Sequence, residues 1–305
     1  MPKRPLTSNS RRRSRIVFLV LSFLAMSWAH GASADVELVF GLYTSDKPSK
    51  MVEQFRPSLH VLEQRLTALL QEPVTIRTHV AKNYDEGLND LLEGRVDFSR
   101  FGPASYVLAK RQEPDLSILA TENNEGGKIF YGIICVRKDS DIQDVSQLKG
   151  RTFAFGDENS TIGRYLSQLY LLKHGISAKD LAEFSYLGRH DMVGSAVGIG
   201  RYDAGALKES TFNDLIKAGM PIRAIAKFPN VTKPWIARAG LPERIKNALT
   251  QTLLNLDDPI ALDALSTEGF VAGGDADYDT IRESMERNGE FFGTFAAMPP
   301  PTPSE

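Results

Sequence analysis

The sequence predicts an α/β protein built as two lobes. Short apolar strands alternate with amphipathic helices from Val36 onward, the alternation restarts near Lys128, and no stretch after the first 34 residues is long and apolar enough to span a bilayer. The first strand is Val36-Glu37-Leu38-Val39-Phe40, ending at Gly41-Leu42-Tyr43. Val52, Phe55, Leu59, Leu62, Leu66 and Leu69 then recur at spacings of three and four, the apolar stripe of a helix. Val74, Ile76 and Val80 share one side of the next strand. Asn83 to Glu93 reads as a helix closed by Gly94, Val96 to Phe98 as a strand, and Gly102-Pro103 as a helix start, where proline is tolerated. This βαβαβ order belongs to an open, mostly parallel sheet.

The second series begins with strands Leu116 to Ala120 and Ile129 to Val136. Strand Thr152 to Phe155, helix Ile162 to His174 with Gly175 as its stop, strand Phe184 to Leu187 and helix His190 to Ile199 follow. Ala204 to Leu207 is a strand, Phe212 to Ala218 a helix, and Ile222 to Ala226 a strand. Helices Glu243 to Leu256 and Tyr278 to Phe292 close the series. The expected division is a leader over 1–34, a first lobe from 35–127 with 221–295, a second lobe from 128–220, and a disordered Pro-rich tail over 296–305. The chain would thus cross between lobes twice. A cleft between two lobes is a common ligand site, and hinge closure is its natural motion.

The leader has six basic residues and no acid, then an apolar run from Ile16 to Met26, then Ala32-Ser33-Ala34. This is the pattern of an export signal cut after Ala34. The run is shorter than the ~20 apolar residues of a membrane anchor. Whole-chain charge is −2 from 36 basic and 38 acidic residues, so what remains after the leader is acidic. Such a balance argues against nucleic acid, whose phosphates require a basic face. One cysteine, Cys135, lies in an apolar strand and reads as core; no internal disulfide can form.

Enzyme signatures are missing. Gly127-Lys128 lacks the other elements of a phosphate-binding loop, and Gly198-Ile199-Gly200 lacks the third glycine of a dinucleotide loop. There is no nucleophile elbow, no zincin helix and no C-x-x-C pair. No catalytic residue, cofactor or metal is expected.

Phe155-Gly156-Asp157-Glu158-Asn159-Ser160-Thr161-Ile162-Gly163 follows a strand and opens a helix. Helix N-terminal amides attract anions, and the Ser160 and Thr161 hydroxyls add donors. The plain alternative is an N-cap. His190, after the next strand, is a donor at a similar edge, or else a surface capping residue. Asp203 could accept from a ligand, or serve as a turn residue. Glu209 and Lys208 follow the same strand, and either could reach the cleft. In the first lobe, Tyr43, Thr44, Ser105 and Tyr106 follow strands and would face the same crevice, where open α/β sheets bind ligands. Each aromatic alone is more often core.

Taken together, Gly41-Leu42-Tyr43, Phe55-Arg56-Pro57, Phe101-Gly102-Pro103-Ala104-Ser105-Tyr106, Leu148-Lys149-Gly150 with Phe153-Ala154-Phe155-Gly156, Ser160-Thr161 and Gly188-Arg189-His190 resemble the phosphonate/phosphite/phosphate-type periplasmic substrate-binding proteins of ABC importers. The resemblance spans about Val36 to Ile225. It implies a type II periplasmic binding fold with a two-crossing hinge. It also implies a periplasmic, monomeric, non-catalytic protein that hands a small anion (phosphonate, phosphite, phosphate or a related oxyanion) to a permease in the inner membrane. In that family a Ser-Thr-Ser run, a histidine and tyrosines hold the oxyanion. Ser160, Thr161, His190, Tyr43 and Tyr106 stand in those places, and Ile162 replaces the last serine. Two alternatives share the clamp: a sensor that reports ligand to a membrane receptor or kinase, and an enzyme on the same scaffold.

Overall fold

The computed structural model describes residues 1–2, 35–124 and 127–293. All of the leader after residue 2, and the Pro-rich tail, lie outside the described residues.

The first sheet has the order β11-β4-β10-β3-β1-β2. Its parallel part is β1 (Val36–Tyr43) between β2 (Val74–Ala81) and β3 (Phe98–Arg100). Antiparallel β10 (Pro234–Ala237), β4 (Ser117–Asn123) and β11 (Gly269–Val271) complete it. The second sheet, β7-β6-β8-β5-β9, repeats the design. Parallel β6 (Thr152–Phe155), β7 (Glu183–Tyr186) and β8 (Ala204–Lys208) are joined by antiparallel β5 (Ile129–Arg137) and β9 (Ile222–Val231). Each sheet is therefore mixed rather than mostly parallel. A strand that enters from the other lobe runs opposite to the strands it joins.

The chain crosses from β4 to β5 and returns from β9 to β10. Because β9 pairs with β5 along its length, the second sheet runs on to Val231, past the expected boundary at 220. A third passage follows. Helix α9 (Asp279–Glu286) packs on α3 (Pro103–Gln112) and on the turn Thr161–Leu166, and α10 (Asn288–Phe291) packs on α4 (Ser167–Lys173) of the second lobe. Phe291 is fully buried there, its ring 5.8 Å from that of Phe155.

Helix α1 (Pro48–Leu70) buries Met51, Phe55, Leu59, Leu62 and Leu66 on the first sheet. Val52 and Leu69, expected on that stripe, are 39% and 42% exposed. The face is turned by one residue, so Met51 takes the place of Val52. The helix meets a core in which Trp235 stacks on Phe40 with ring centroids 5.0 Å apart. Asn83 caps α2 (Tyr84–Leu92) by accepting from the Glu86 amide at 2.8 Å. The Arg95 and Val96 amides bond the Asp90 carbonyl and finish that helix, so β3 starts at Phe98 and not at Val96. The remaining helices are α5 (His190–Gly198), α6 (Glu209–Lys217), α7 (Glu243–Leu254) and α8 (Pro259–Leu265). Cys135 is fully buried in β5, where burial pushes its thiol up to about 12.

Candidate ligand cleft

The carboxyl ends of the parallel strands of both sheets converge on one cleft, the position the topology of such sheets favours. Its space is about 40 Å³. At 10–15 Å³ per water, that is room for roughly three waters. Tyr43 ends β1, Arg100 ends β3, Ser160 and Thr161 follow β6, His190 follows β7, Lys208 ends β8, Phe130 and Asn230 come from β5 and β9, and Lys233 from the link between β9 and β10.

Ser160 caps the turn after β6, its Oγ accepting from the Gly163 amide at 3.0 Å. That turn, Thr161–Leu166, is a π-helical segment. Such segments are uncommon and recur at functional sites. The first-turn amides, which a helix leaves without intrahelical partners, include those of Thr161 and Ile162, and both residues line the cleft. Two glycines make the turn possible. The Gly156 amide donates to the Gly163 carbonyl at 2.9 Å, and a Cβ on Gly163 would lie 2.8 Å from the Gly156 Cα. No side chain fits between those backbones.

The lobes meet directly around the cleft. Thr161 Oγ1 accepts from the Ala104 amide at 2.8 Å, and the His190 amide donates to the Ser45 carbonyl at 2.9 Å. Asp46, after β1, pairs with Lys208 of β8 and accepts from Thr211 Oγ1 at 2.9 Å. Asn159 Nδ2 donates to Asp85 Oδ1 at 2.5 Å. Tyr43 stacks on Tyr84, its hydroxyl accepting from the Gly102 amide at 2.6 Å and donating to Ser105 Oγ at 3.1 Å. Burial pushes the Tyr43 hydroxyl up to about 12, so it stays protonated.

Charge is concentrated at one wall. Arg100 donates to both oxygens of Glu122, at 2.7 and 3.0 Å, and Lys233 Nζ lies 3.9 Å from the same carboxylate. Burial would raise the carboxyl of Glu122, but Arg100 and Lys233 outweigh it and hold the group below its usual range. Lys233 is pushed well down, first by burial and then by Arg100. His190 falls to about 3, because burial and Lys208 both disfavour its charged form, so its ring is neutral. With Lys233 protonated, the form an anion in the cleft would favour, three cations face two carboxylates. His190 Nδ1 and both side-chain polar atoms of Asn230 are buried without a hydrogen-bond partner. Each such group costs ~1–3 kcal/mol.

The residues singled out from the sequence divide between the cleft and other places. Tyr43, Ser160, Thr161 and His190 line the cleft. Thr44 is buried beside it with its hydroxyl on the Lys82 carbonyl, and Ser105 lies behind Tyr43. Tyr106 points away: its hydroxyl donates to Asp275 at 2.6 Å and its ring packs on Tyr278. Asp203 accepts from the Thr152 amide at 2.8 Å, which is the turn role. Glu209 pairs with Lys227 and lines a neighbouring cavity, while Lys208 reaches the cleft. Arg100, Asn230 and Lys233 also line the cleft. A lone arginine at a strand end carries no sequence signal, and the strand β10 beside Lys233 is only four residues long and opens with proline.

The family model for "ABC transporter, phosphonate, periplasmic substrate-binding protein" matches residues 40–278. The chain belongs to this family. It is 26% identical over 223 residues to a probable ABC transporter phosphite-binding protein of Prochlorococcus marinus, covering 66% of this chain and 74% of that one. It is 24% identical over 274 residues to the phosphonates-binding periplasmic protein of Escherichia coli, covering 85% and 78%. The solved structure of a Prochlorococcus marinus protein with methylphosphonate superposes with a TM-score of 0.71 at 23% identity, covering 84% of this chain and 98% of that one. The fold is thus that of periplasmic binding proteins. Members of the family are extracytoplasmic binding components of ABC transporters that take up small ligands and work with a membrane permease. Among the described residues no helix is long and apolar enough to cross a membrane. Among them, too, no group of His, Cys, Asp and Glu is placed to hold a metal ion.

Proposed function

We propose that the cleft captures a small tetrahedral phosphorus oxyanion (phosphite, phosphate or a short phosphonate) and delivers it unchanged to the permease. The observation that carries this is the pairing of a 40 Å³ space with an unbalanced cation and unpartnered polar atoms on His190 and Asn230. Ser160 and Thr161 bring hydroxyls and helix-start amides to one end, and Lys233 brings charge to the other. Tyr43 closes the first-lobe side. An anion there would pair groups that are otherwise buried at a cost.

The same reading makes the chain a monomer, since one chain supplies both walls of the cleft. Its acidic balance speaks against a nucleic-acid partner. Export follows from the leader cut after Ala34.

The test is a thermal-shift panel of phosphate, phosphite, methylphosphonate, sulfate and small carboxylates. A ligand at 100 times its Kd should add ~2.7 kcal/mol of stability. A shift with one or more phosphorus oxyanions supports the reading. A shift confined to sulfate or carboxylates refutes it.

A further inference from the structure

A second cavity of about 440 Å³ adjoins the cleft. Arg100, Phe130, Lys208 and Lys233 line both spaces and form the wall between them. A substituent that extends from a ligand in the cleft into this cavity passes these residues. Two of the cations have carboxylates of their own: Arg100 holds Glu122 in two hydrogen bonds, and Lys208 holds Asp46. Lys233 has only a share of Glu122 at 3.9 Å, and its Nζ sits 4.0 Å from the Phe130 ring centroid. Its side chain is 17% exposed. The other acids of the second cavity offer no relief. Glu209 is paired with Lys227, and Asp263 and Glu268 are exposed on the outer rim, where solvent screens them.

Resting on the oxyanion reading above, we propose that Lys233 is a specificity-determining residue. With Arg100 and Lys208 it admits oxyanions whose substituent is neutral or anionic and excludes those whose short substituent carries an ammonium group. An ammonium two carbons from phosphorus would stop at the cationic wall, short of the rim carboxylates. Like charges brought together in a desolvated site cost several kcal/mol, enough for a discrimination of about 100-fold.

The experiment compares two ligands of equal size, propylphosphonate and 2-aminoethylphosphonate, with methylphosphonate as reference, by titration calorimetry on the purified protein. The expected result is a Kd for propylphosphonate about 100-fold lower than for 2-aminoethylphosphonate, with the ratio collapsing in Lys233→Glu. Lys233→Gln, which is one atom shorter but uncharged and keeps a donor, should give an intermediate ratio and serves if the glutamate variant does not fold. Equal affinities in the wild type would overturn the proposal and leave the oxyanion reading standing. So would binding of methylphosphonate alone, since size and not charge would then set the limit. If none of the three binds while another class of anion does, both readings fall.

Discussion

Removing the carboxylate of Asp46 should loosen the closed cleft by a measurable amount. Asp46 and Lys208 come from different lobes, and their side chains are 5% and 12% exposed. Taking one partner from a buried ion pair costs ~3–5 kcal/mol, because the other charge is stranded. Asp46→Asn keeps the volume and an acceptor for Thr211, so the change is mainly electrostatic. In a protein of this size 1 kcal/mol moves Tm by ~2–4 °C, so ligand-free Asp46→Asn should melt roughly 6–20 °C lower. Part of the loss should appear as opening, which hydrates Lys208 and would raise the radius of gyration in solution scattering. Adding Lys208→Met removes the stranded charge and should recover most of the loss. The pH dependence has a defined sign. Burial alone would raise the carboxyl of Asp46, but the charge and hydrogen bond of Lys208, with the Thr211 hydroxyl, hold it below its usual range. Its contribution is therefore complete above the ordinary carboxylate pKa and lost as pH falls through the lowered one. A drop below 2 °C in the single variant, with no recovery in the double, would show that the pair does not hold the lobes together.

Two further outcomes follow from the turn that carries Ser160 and Thr161. Gly163→Ala forces a Cβ against the Gly156 Cα and Ser160 Cβ; it should cost ~1–3 kcal/mol in a melt and weaken methylphosphonate binding about tenfold. Unchanged affinity would mean that the turn does not shape the site. Asp157 is pushed up to about 6, chiefly by burial, with Asp85 and Glu158 adding repulsion. Its ionisation thus penalises the folded state fully above pH 6 and not at all below the ordinary carboxylate pKa. Asp157→Asn should stabilise by ~1 kcal/mol at pH 7.5, after solvent screening, and change nothing at pH 4. Destabilisation at both pH values would contradict the assignment.

Most of the scaffold was legible because periodicity reports burial. Strand Thr152 to Phe155 has the expected limits, and the α2 and α5 helices lie within one residue or so of theirs. What escaped was short or set by partners far along the chain. Pro234–Ala237 is four residues that open with proline, yet it lies at the centre of the first sheet, between β3 and β4. Proline is tolerated there because it is the first residue of the strand. Helix α8 is a seven-residue segment capped by Asp258, too short to show a period. The helix foreseen over Tyr278 to Phe292 breaks at Arg287, where the chain turns to plant Phe291 in the other lobe. In the site, hydroxyls next to a helix start were visible from the sequence, whereas Arg100, Asn230 and Lys233 meet only through sheet order. Tyr106 shows the converse. It is placed like a site residue in the sequence, but Asp275, 169 positions away, takes its hydroxyl.

Ile162 ties these points together. Where the family run ends in serine, this chain has an isoleucine that is 2% exposed and packs in one core with Phe228. Gly132 leaves the room: a Cβ there would come within 3.1 Å of the Ile162 side chain. Burying a side chain of this size is worth ~1.5–3 kcal/mol to the fold. A hydroxyl given to a charged ligand is worth a similar ~1.5–3 kcal/mol to binding. The substitution therefore moves stabilisation from the bound complex to the second lobe. On the proposed reading, the donors that compensate lie on the segment that crosses back between the lobes, β9 and the link after it. Asn230 is 4% exposed with both polar ends unpaired, and Lys233 is short of a counter-charge. A site that draws donors from the hinge as well as from one lobe's helix start is complete only when the lobes are closed. Capture of the anion and closure of the clamp then become one event.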